Sequence, residues 1–317
     1  MHSIYQQMNR NKKIKIKLIK LNKKTNSVNQ DKSHNYLQNI KSKYVLKIIF
    51  GNLKKNKFLK IINHSKKIQN KLGLDITDYI QYKKIKLDII PIKDAVGPFI
   101  NINKEEDKFY YHIYFNDNEE EMKRNYLNEK DKVTKIRIII DNEIQSFQEL
   151  FKNCNCIEYI NFIWFYRSDI LNMNSMFYGC YSLKEINNFG FDIINVTDLS
   201  YMFFKCYSLI KLNLSKFQTS NATNMRNMFY ECTSLKELNL SNFNTSKVTD
   251  MAGMFFNCCS LKKLNLSNFN TNQVINMKSM FYECSLLEEL DISSNFNFNN
   301  VTNMDYMFSG CKKLKRK

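Results

Sequence analysis

Glycine is scarce in this 317-residue chain, with 7 in all, and no phosphate-cradling glycine loop is present. Proline is nearly absent, with 2. The four histidines, His2, His34, His64 and His112, are scattered, and no Ser/His/Asp or Cys/His pairing is suggested. No apolar stretch reaches the length of a membrane span. The N-terminus, MHSIYQQMNRNKKIKIKLIK, has Lys in every apolar run and so lacks the core of a secretory signal. These absences lead to the expectation of an intracellular, cytoplasmic protein, or a surface protein if the N-terminus is incomplete. No enzyme activity, catalytic residue, cofactor or metal site is expected.

What is present is unevenly placed. Residues 1–90 carry 22 Lys/Arg and 4 Asp/Glu, a balance of +18, while residues 91–317 carry 26 of each. A basic arm on a neutral body suits an acidic partner such as nucleic acid, an anionic membrane or an acidic protein. Heavy use of Lys, Asn and Ile gives the same composition without any such role.

In chain order, residues 1–35 read as a basic, disordered arm. Residues 36–90 read as a helical module. Leu37, Ile40, Tyr44 and Ile48 make one stripe at helical spacing, and Phe58, Ile61, Ile62 and Ile68 a second. Residues 91–143 read as a strand-containing cap region, with strands at Phe99–Ile102, Phe109–Phe115 and Val133–Ile140. Asp117, Glu119, Glu120 and Glu121 form an acidic loop without calcium-loop spacing. Ile144 to Phe151 reads as helix.

Residues 144–317 are an array. Met-Phe pairs recur at 176, 202, 228, 254, 280 and 307, a period of 26 residues four times and 27 once. Each pair belongs to a ladder expected to be core: Met176, Phe177 and Cys180; Met202, Phe203 and Cys206; Met228, Phe229 and Cys232; Met254, Phe255 and Cys258; Met280, Phe281 and Cys284; Met307, Phe308 and Cys311. Cys154 lies 26 residues before Cys180, so 144–170 is a degenerate first repeat, and the last repeat reads as incomplete. The nine cysteines read as reduced thiols. One Cys per repeat, with no His in the array, makes a line and not a metal tetrahedron. Cys154-Asn-Cys156 has no partner pair.

Within one repeat, Met251, Met254, Phe255 and Cys258 fall at i, i+3, i+4 and i+7, which predicts a helix, with Thr249 or Asp250 as N-cap. Thr197/Asp198, Thr223/Asn224 and Thr302/Asn303 occupy the same place. Leu264 and Leu266 then alternate as a short strand. The expected fold is an α/β solenoid, a leucine-rich-repeat-like stack of strand-plus-helix units behind an α-helical N-terminal module. The Val133–Ile140 strand is expected to cover the first repeat.

The run from Met228 to Met251, MFYECTSLKELNLSNFNTSKVTDM, resembles the BspA-like leucine-rich repeat family, in the variant of mycoplasma and other microbial surface proteins. The resemblance spans about 144–317. It implies a leucine-rich-repeat solenoid and, for surface members, adhesion or recognition, with no catalytic residues. Residues 45–69, VLKIIFGNLKKNKFLKIINHSKKIQ, resemble the helical core of an F-box without its usual Leu-Pro opening. That resemblance implies docking to a ubiquitin-ligase adaptor.

The outward positions of the strands form the candidate binding face. The first gives Glu185, Lys211, Glu237, Lys263 and Glu289, alternating in sign so that neighbours pair. The second gives Asn187, Asn213, Asn239, Asn265 and Asp291, and the third Ser215, Ser241, Ser267 and Ser293. Asn213, Asn239 and Asn265 also open glycosylation sequons. Such a face serves either as a self-satisfied polar ladder or as a platform for a protein partner. The expected function is non-enzymatic protein interaction or scaffolding. The alternatives are a surface adhesin whose leader is missing, and a basic arm that binds nucleic acid or anionic membrane.

Overall fold

The computed structural model describes Lys67, Asn70, residues 84–165, Arg167, 169–189 and 193–315. The chain divides into two units, Met1–Tyr82 and Lys83–Lys317, and the second is described below. The basic arm, both N-terminal helical stripes and nearly all of the F-box-like segment lie outside the described residues.

Residues 84–143 form strands where Ile, Leu and Phe alternate with polar residues. These are β1 (Ile85–Pro91), β2 (Gly97–Pro98), β3 (Tyr111–Phe115), β4 (Glu121–Met122), β5 (Tyr126–Leu127) and β6 (Ile136–Ile140), with one 3-10 turn at Glu105–Tyr110. The end of the predicted helical module is therefore a strand. In β1, Ile85, Leu87 and Ile89 are fully buried on one face, the period-2 pattern of a sheet. Phe99–Ile102 is not a strand, and β3 begins two residues later than expected.

The repeats contribute β7 (Ile157–Trp164), β8 (Glu185–Asn187), β9 (Lys211–Asn213), β10 (Glu237–Asn239), β11 (Lys263–Leu266) and β12 (Glu289–Ile292). The main sheet has the order β4-β3-β6-β1-β7-β8, and the other repeat strands pair as β9 with β10 and β11 with β12. β1 lies antiparallel to β7, and β7 parallel to β8. The first repeat is thus covered by β1, not by the Val133–Ile140 strand, which pairs on the far edge of β1.

The strand-plus-helix architecture is overturned. Among the described residues of the array there is no helix, and Ile144–Phe151 is turn and bridge. The reason is where the backbone donors go. An α-helix spends each interior N–H on the carbonyl four residues back. Here Met228, Tyr230 and Cys232 donate three residues back, to Met225, Asn227 and Phe229. The alternate N–H groups leave the repeat: Met225, Asn227, Phe229 and Glu231 donate to the carbonyls of Asp250, Ala252, Met254 and Phe256 at 2.7–3.0 Å. This alternation needs left-handed residues, and Asn227 (φ 54°) and Glu231 (φ 56°) adopt them, as do Tyr201 and Lys205 one repeat earlier. Non-glycine residues hold such angles only when their surroundings enforce them.

The same forward bonds link successive repeats along the array. Ser279, Phe281 and Glu283, for example, donate to Asp305, Met307 and Ser309. The expected N-caps have a different task. Asp198, Asn224, Asp250 and Asn303 each accept through Oδ1 from the N–H two residues on, as Asn276 does in the repeat between, which fixes a turn instead of a helix start.

At the N-terminal end three of the four carbonyls in register with the acceptors Asp250, Ala252, Met254 and Phe256, those of Gln148, Leu150 and Lys152, already have donors. Asn101 donates its backbone N–H to Leu150 O at 2.7 Å and its side-chain amide to Glu149 O and Lys152 O at 3.0 and 2.8 Å. The Asn103 amide reaches Gln148 O at 3.3 Å.

The core of the array is a set of columns. Phe151, Phe177, Phe203, Phe229, Phe255, Phe281 and Phe308 stack with centroids 5.2–5.6 Å apart and planes within 8°. Thr219, Thr245 and Thr271 are fully buried. The Thr245 hydroxyl donates to Asn270 O and accepts from Asn270 N, both at 2.8 Å, so its burial leaves nothing unpaired.

Candidate functional site

The outward strand positions line one open groove of about 960 Å³, built by five successive repeats from Glu185 to Asp291. It contains Glu185, Asn187, Lys211, Asn213, Ser215, Glu237, Asn239, Lys263, Asn265, Glu289 and Asp291. Ser241, Ser267 and Ser293 lie outside its lining. Lys216, Lys236 and Lys262 also border it, and no outward-position pattern singled them out.

Charge pairing along the groove is partial. Lys211 reaches Glu185 at 3.2 Å and Lys263 reaches Glu289 at 2.8 Å. The pair with Glu289 and the carboxylate of Asp291 beside it raise the Lys263 pKa, the hydrogen bond to Glu289 being the largest cause. Among the described residues, Glu237, Lys216, Lys236 and Lys262 have no ion-pair partner. The alternating column is therefore not a continuous self-neutralising ladder.

The Asn column is partly structural. Asn213, Asn239 and Asn265 accept through Oδ1 from the backbone N–H of Ser215, Ser241 and Ser267 at 2.9–3.0 Å. Each Asn closes a turn at its strand end, which holds its amide at the rim of the groove.

The Met-Phe-Cys ladder lies on the other side of each repeat. Its members from Met176 to Cys284, together with Met307, are buried, whereas Phe308 is 41% exposed and Cys311 half-buried. All nine cysteines are free thiols. The ladder thiols contact the chain in a way that the sequence did not suggest. Sγ of Cys180, Cys206, Cys232, Cys258 and Cys284 lies 2.9–3.2 Å from the carbonyl oxygen of the Phe in the preceding repeat. Each S–H thus donates to a carbonyl that also closes a turn, using its second lone pair. Burial pushes these thiols well up from the ordinary range, and Cys156 up to about 12. Such thiols are inert as nucleophiles.

A second aromatic column runs beside the ladder. Tyr178, Phe204, Tyr230, Phe256 and Tyr282 stack at 4.2–4.7 Å, half-buried. Lys152 caps it 5.5 Å above Tyr178. The signal was in the repeat itself, since the residue after each of these Met-Phe pairs is Tyr or Phe.

The acidic loop is tied down by ion pairs. Asp117 meets Lys135 and Arg137, and Glu121 meets Lys123, while His112 Nδ1 lies 3.4 Å from the Glu121 carboxylate. The hydrogen bond from Lys135 holds the Asp117 carboxyl below its usual range. Among the described residues, no group of three or more His, Cys, Asp or Glu is placed to hold a metal. None of the helices there is long and apolar enough to cross a membrane.

A repeating unit with these ladders defines a repeat protein. The model of the family described as "Mycoplasma protein of unknown function, DUF285" matches residues 145–258 and 232–317. These matches cover more than half of the chain, and the protein belongs to that family. They span the repeats without singling out the BspA-like leucine-rich type, and they lend no support to the F-box resemblance, which lies outside them. Neither the curated proteins nor the solved structures contain a match.

Proposed function

We propose that this chain is a non-enzymatic interaction protein and that the strand-face groove receives a protein partner. The observation that carries the reading is the groove itself, about 960 Å³ and shared by five repeats, with Lys216, Lys236, Lys262 and Glu237 unpaired in or beside it. An extended polypeptide with acidic side chains suits it. Three lysines stand ready without first breaking an internal ion pair, and amide groups of the Asn column line the groove. Recognition by many weak polar contacts along an extended face is how repeat arrays commonly bind.

The test is proximity labelling in cells with the wild-type chain and the Lys236→Glu/Lys262→Glu double variant. The expected result is loss of a defined set of partners while circular dichroism stays unchanged. An identical partner set in a folded double variant would sink the reading.

A further inference from the structure

The groove is not uniform along its length. Ile210 N–H donates to Lys184 O beside β8 and β9 at 3.1 Å, Lys236 N–H to Ile210 O beside β9 and β10 at 2.7 Å, and Glu288 N–H to Lys262 O beside β11 and β12 at 2.8 Å. Among the described residues, the bond in register between β10 and β11, from Lys262 N–H to Lys236 O, is missing. Leu240 N–H also has no acceptor, where Leu214 one repeat earlier donates to Asn239 O at 3.0 Å. β10 and β11 accordingly belong to separate sheets.

The side chains single out the same junction. Leu238 is only partly buried, whereas Ile186, Leu212 and Leu264 at the equivalent inward position are 6%, 2% and 3% exposed. Glu237 has no ion-pair partner, since Lys211 and Lys263 in the repeats before and after it pair with Glu185 and Glu289 instead. Lys236 and Lys262, whose backbones fail to meet, also carry unpaired ammonium groups beside the groove.

We propose that the β10–β11 junction is the anchor point of the groove and takes an extended acidic segment of the partner that carries one aliphatic side chain among its carboxylates. The proposal rests on the groove being a protein-binding face. A peptide group of an extended chain supplies the carbonyl and the N–H that Lys262 N–H and Lys236 O lack. The uncovered part of Leu238 calls for an aliphatic neighbour. The ammonium groups of Lys236 and Lys262 call for carboxylates, and Glu237 repels a carboxylate placed beside it, so the uncharged residue belongs at the centre. The other junctions have spent part of this set. Lys211 already pairs across β8 and β9, the backbone ladder closes β9 on β10, and both a ladder and the Lys263 pair close β11 on β12.

The experiment is hydrogen exchange by NMR and fluorescence anisotropy on the full chain, with synthetic Asp/Glu peptides that differ only in a central Leu, Ser or Lys. In the free chain the Lys262 and Leu240 amides should exchange faster than those of Lys236 and Leu214, because they lack acceptors. The Leu peptide should slow exchange at Lys262 and bind about ten-fold tighter than the Ser peptide. Lys236→Glu/Lys262→Glu should abolish the binding of both, with circular dichroism unchanged. If that variant does not fold, exchange and the contrast between the Leu and Ser peptides on the unaltered chain decide alone. Equal exchange at Lys262 and Lys236 in the free chain, equal binding of the Leu and Ser peptides, or slowing spread evenly from Glu185 to Asp291 overturns the anchor and leaves the groove as the binding face. Tighter binding of the Lys peptide also overturns it, because Glu237 and not Leu238 then sets the centre. If none of the peptides binds up to its solubility limit, the anchor falls together with the reading of the groove.

Discussion

Along the turn side, each repeat passes alternate backbone N–H groups, a thiol contact and a stacked Phe ring to its neighbour. Along the strand side, β7 and β8 belong to the main sheet, and the later array strands pair only two by two, β9 with β10 and β11 with β12, with three or four residues in each. The chain thus separates cohesion from display. The turn side is dry, periodic and nearly invariant in residue type from Met176 to Cys284. The strand side is wet, holds partial ion pairs, and tolerates Glu, Lys, Asn or Asp at equivalent positions. An array built this way can change its outer face without disturbing what binds one repeat to the next.

The comparison breaks most readily at high pH. The ladder thiols are pushed above the ordinary value of 9.0 by burial. A raised folded value means that their stabilisation is complete below the unfolded value and is lost as pH rises past it, because the unfolded thiols ionise first. Between pH 8 and 10 each fully buried thiol removes on the order of 1 kcal/mol, and urea unfolding at the two pH values should show a loss several times larger for the whole row. Next comes Phe229→Ala, which empties a slot between rings 5.5 and 5.6 Å away. It should cost about 3–5 kcal/mol, read as a lower urea midpoint. Thr245→Val strands the Asn270 backbone groups and should cost about 1–3 kcal/mol, visible in thermal unfolding. Lys263→Ala, on the strand side, should leave the melting temperature within error, since surface ion pairs contribute little. A large effect there would mean that the two sides are not energetically distinct.

The period of 26 residues was legible because each repeat copies the same Met, Phe and Cys positions. The helix was not there to be read. Met251, Met254, Phe255 and Cys258 are all buried, so the apolar face was real, but spacing reports which side chains are buried and not where the N–H groups point. The N–H groups of Gly253, Phe255 and Asn257 go to the next repeat at 2.7–2.9 Å, and no side-chain pattern records that. The left-handed turns were hidden too, because Asn227 and Glu231 occupy positions where only the first residue type hints at positive φ. β1 carries a readable signal, since Ile85, Leu87 and Ile89 alternate strictly, and this alternation marks the end of residues 36–90 as strand and not helix. For the groove, strand alternation named the outward column, and the structure sets eleven of those fourteen residues along its lining. Lys216, Lys236 and Lys262 lie just off the alternation, where turn geometry and not strand period decides which way the chain faces.

That Asn101 and Asn103 occupy the carbonyls of Gln148, Leu150 and Lys152 has a consequence for how the molecule is made. On a ribosome the N-terminal part emerges first, so the segment that seals the first repeat exists before any repeat does. Each finished unit then holds out unclaimed amide protons, and each newly translated unit brings the oxygens that they lack. Assembly therefore has a built-in direction, running with synthesis. A nascent chain never needs to wait for its distal end before its proximal repeats can close.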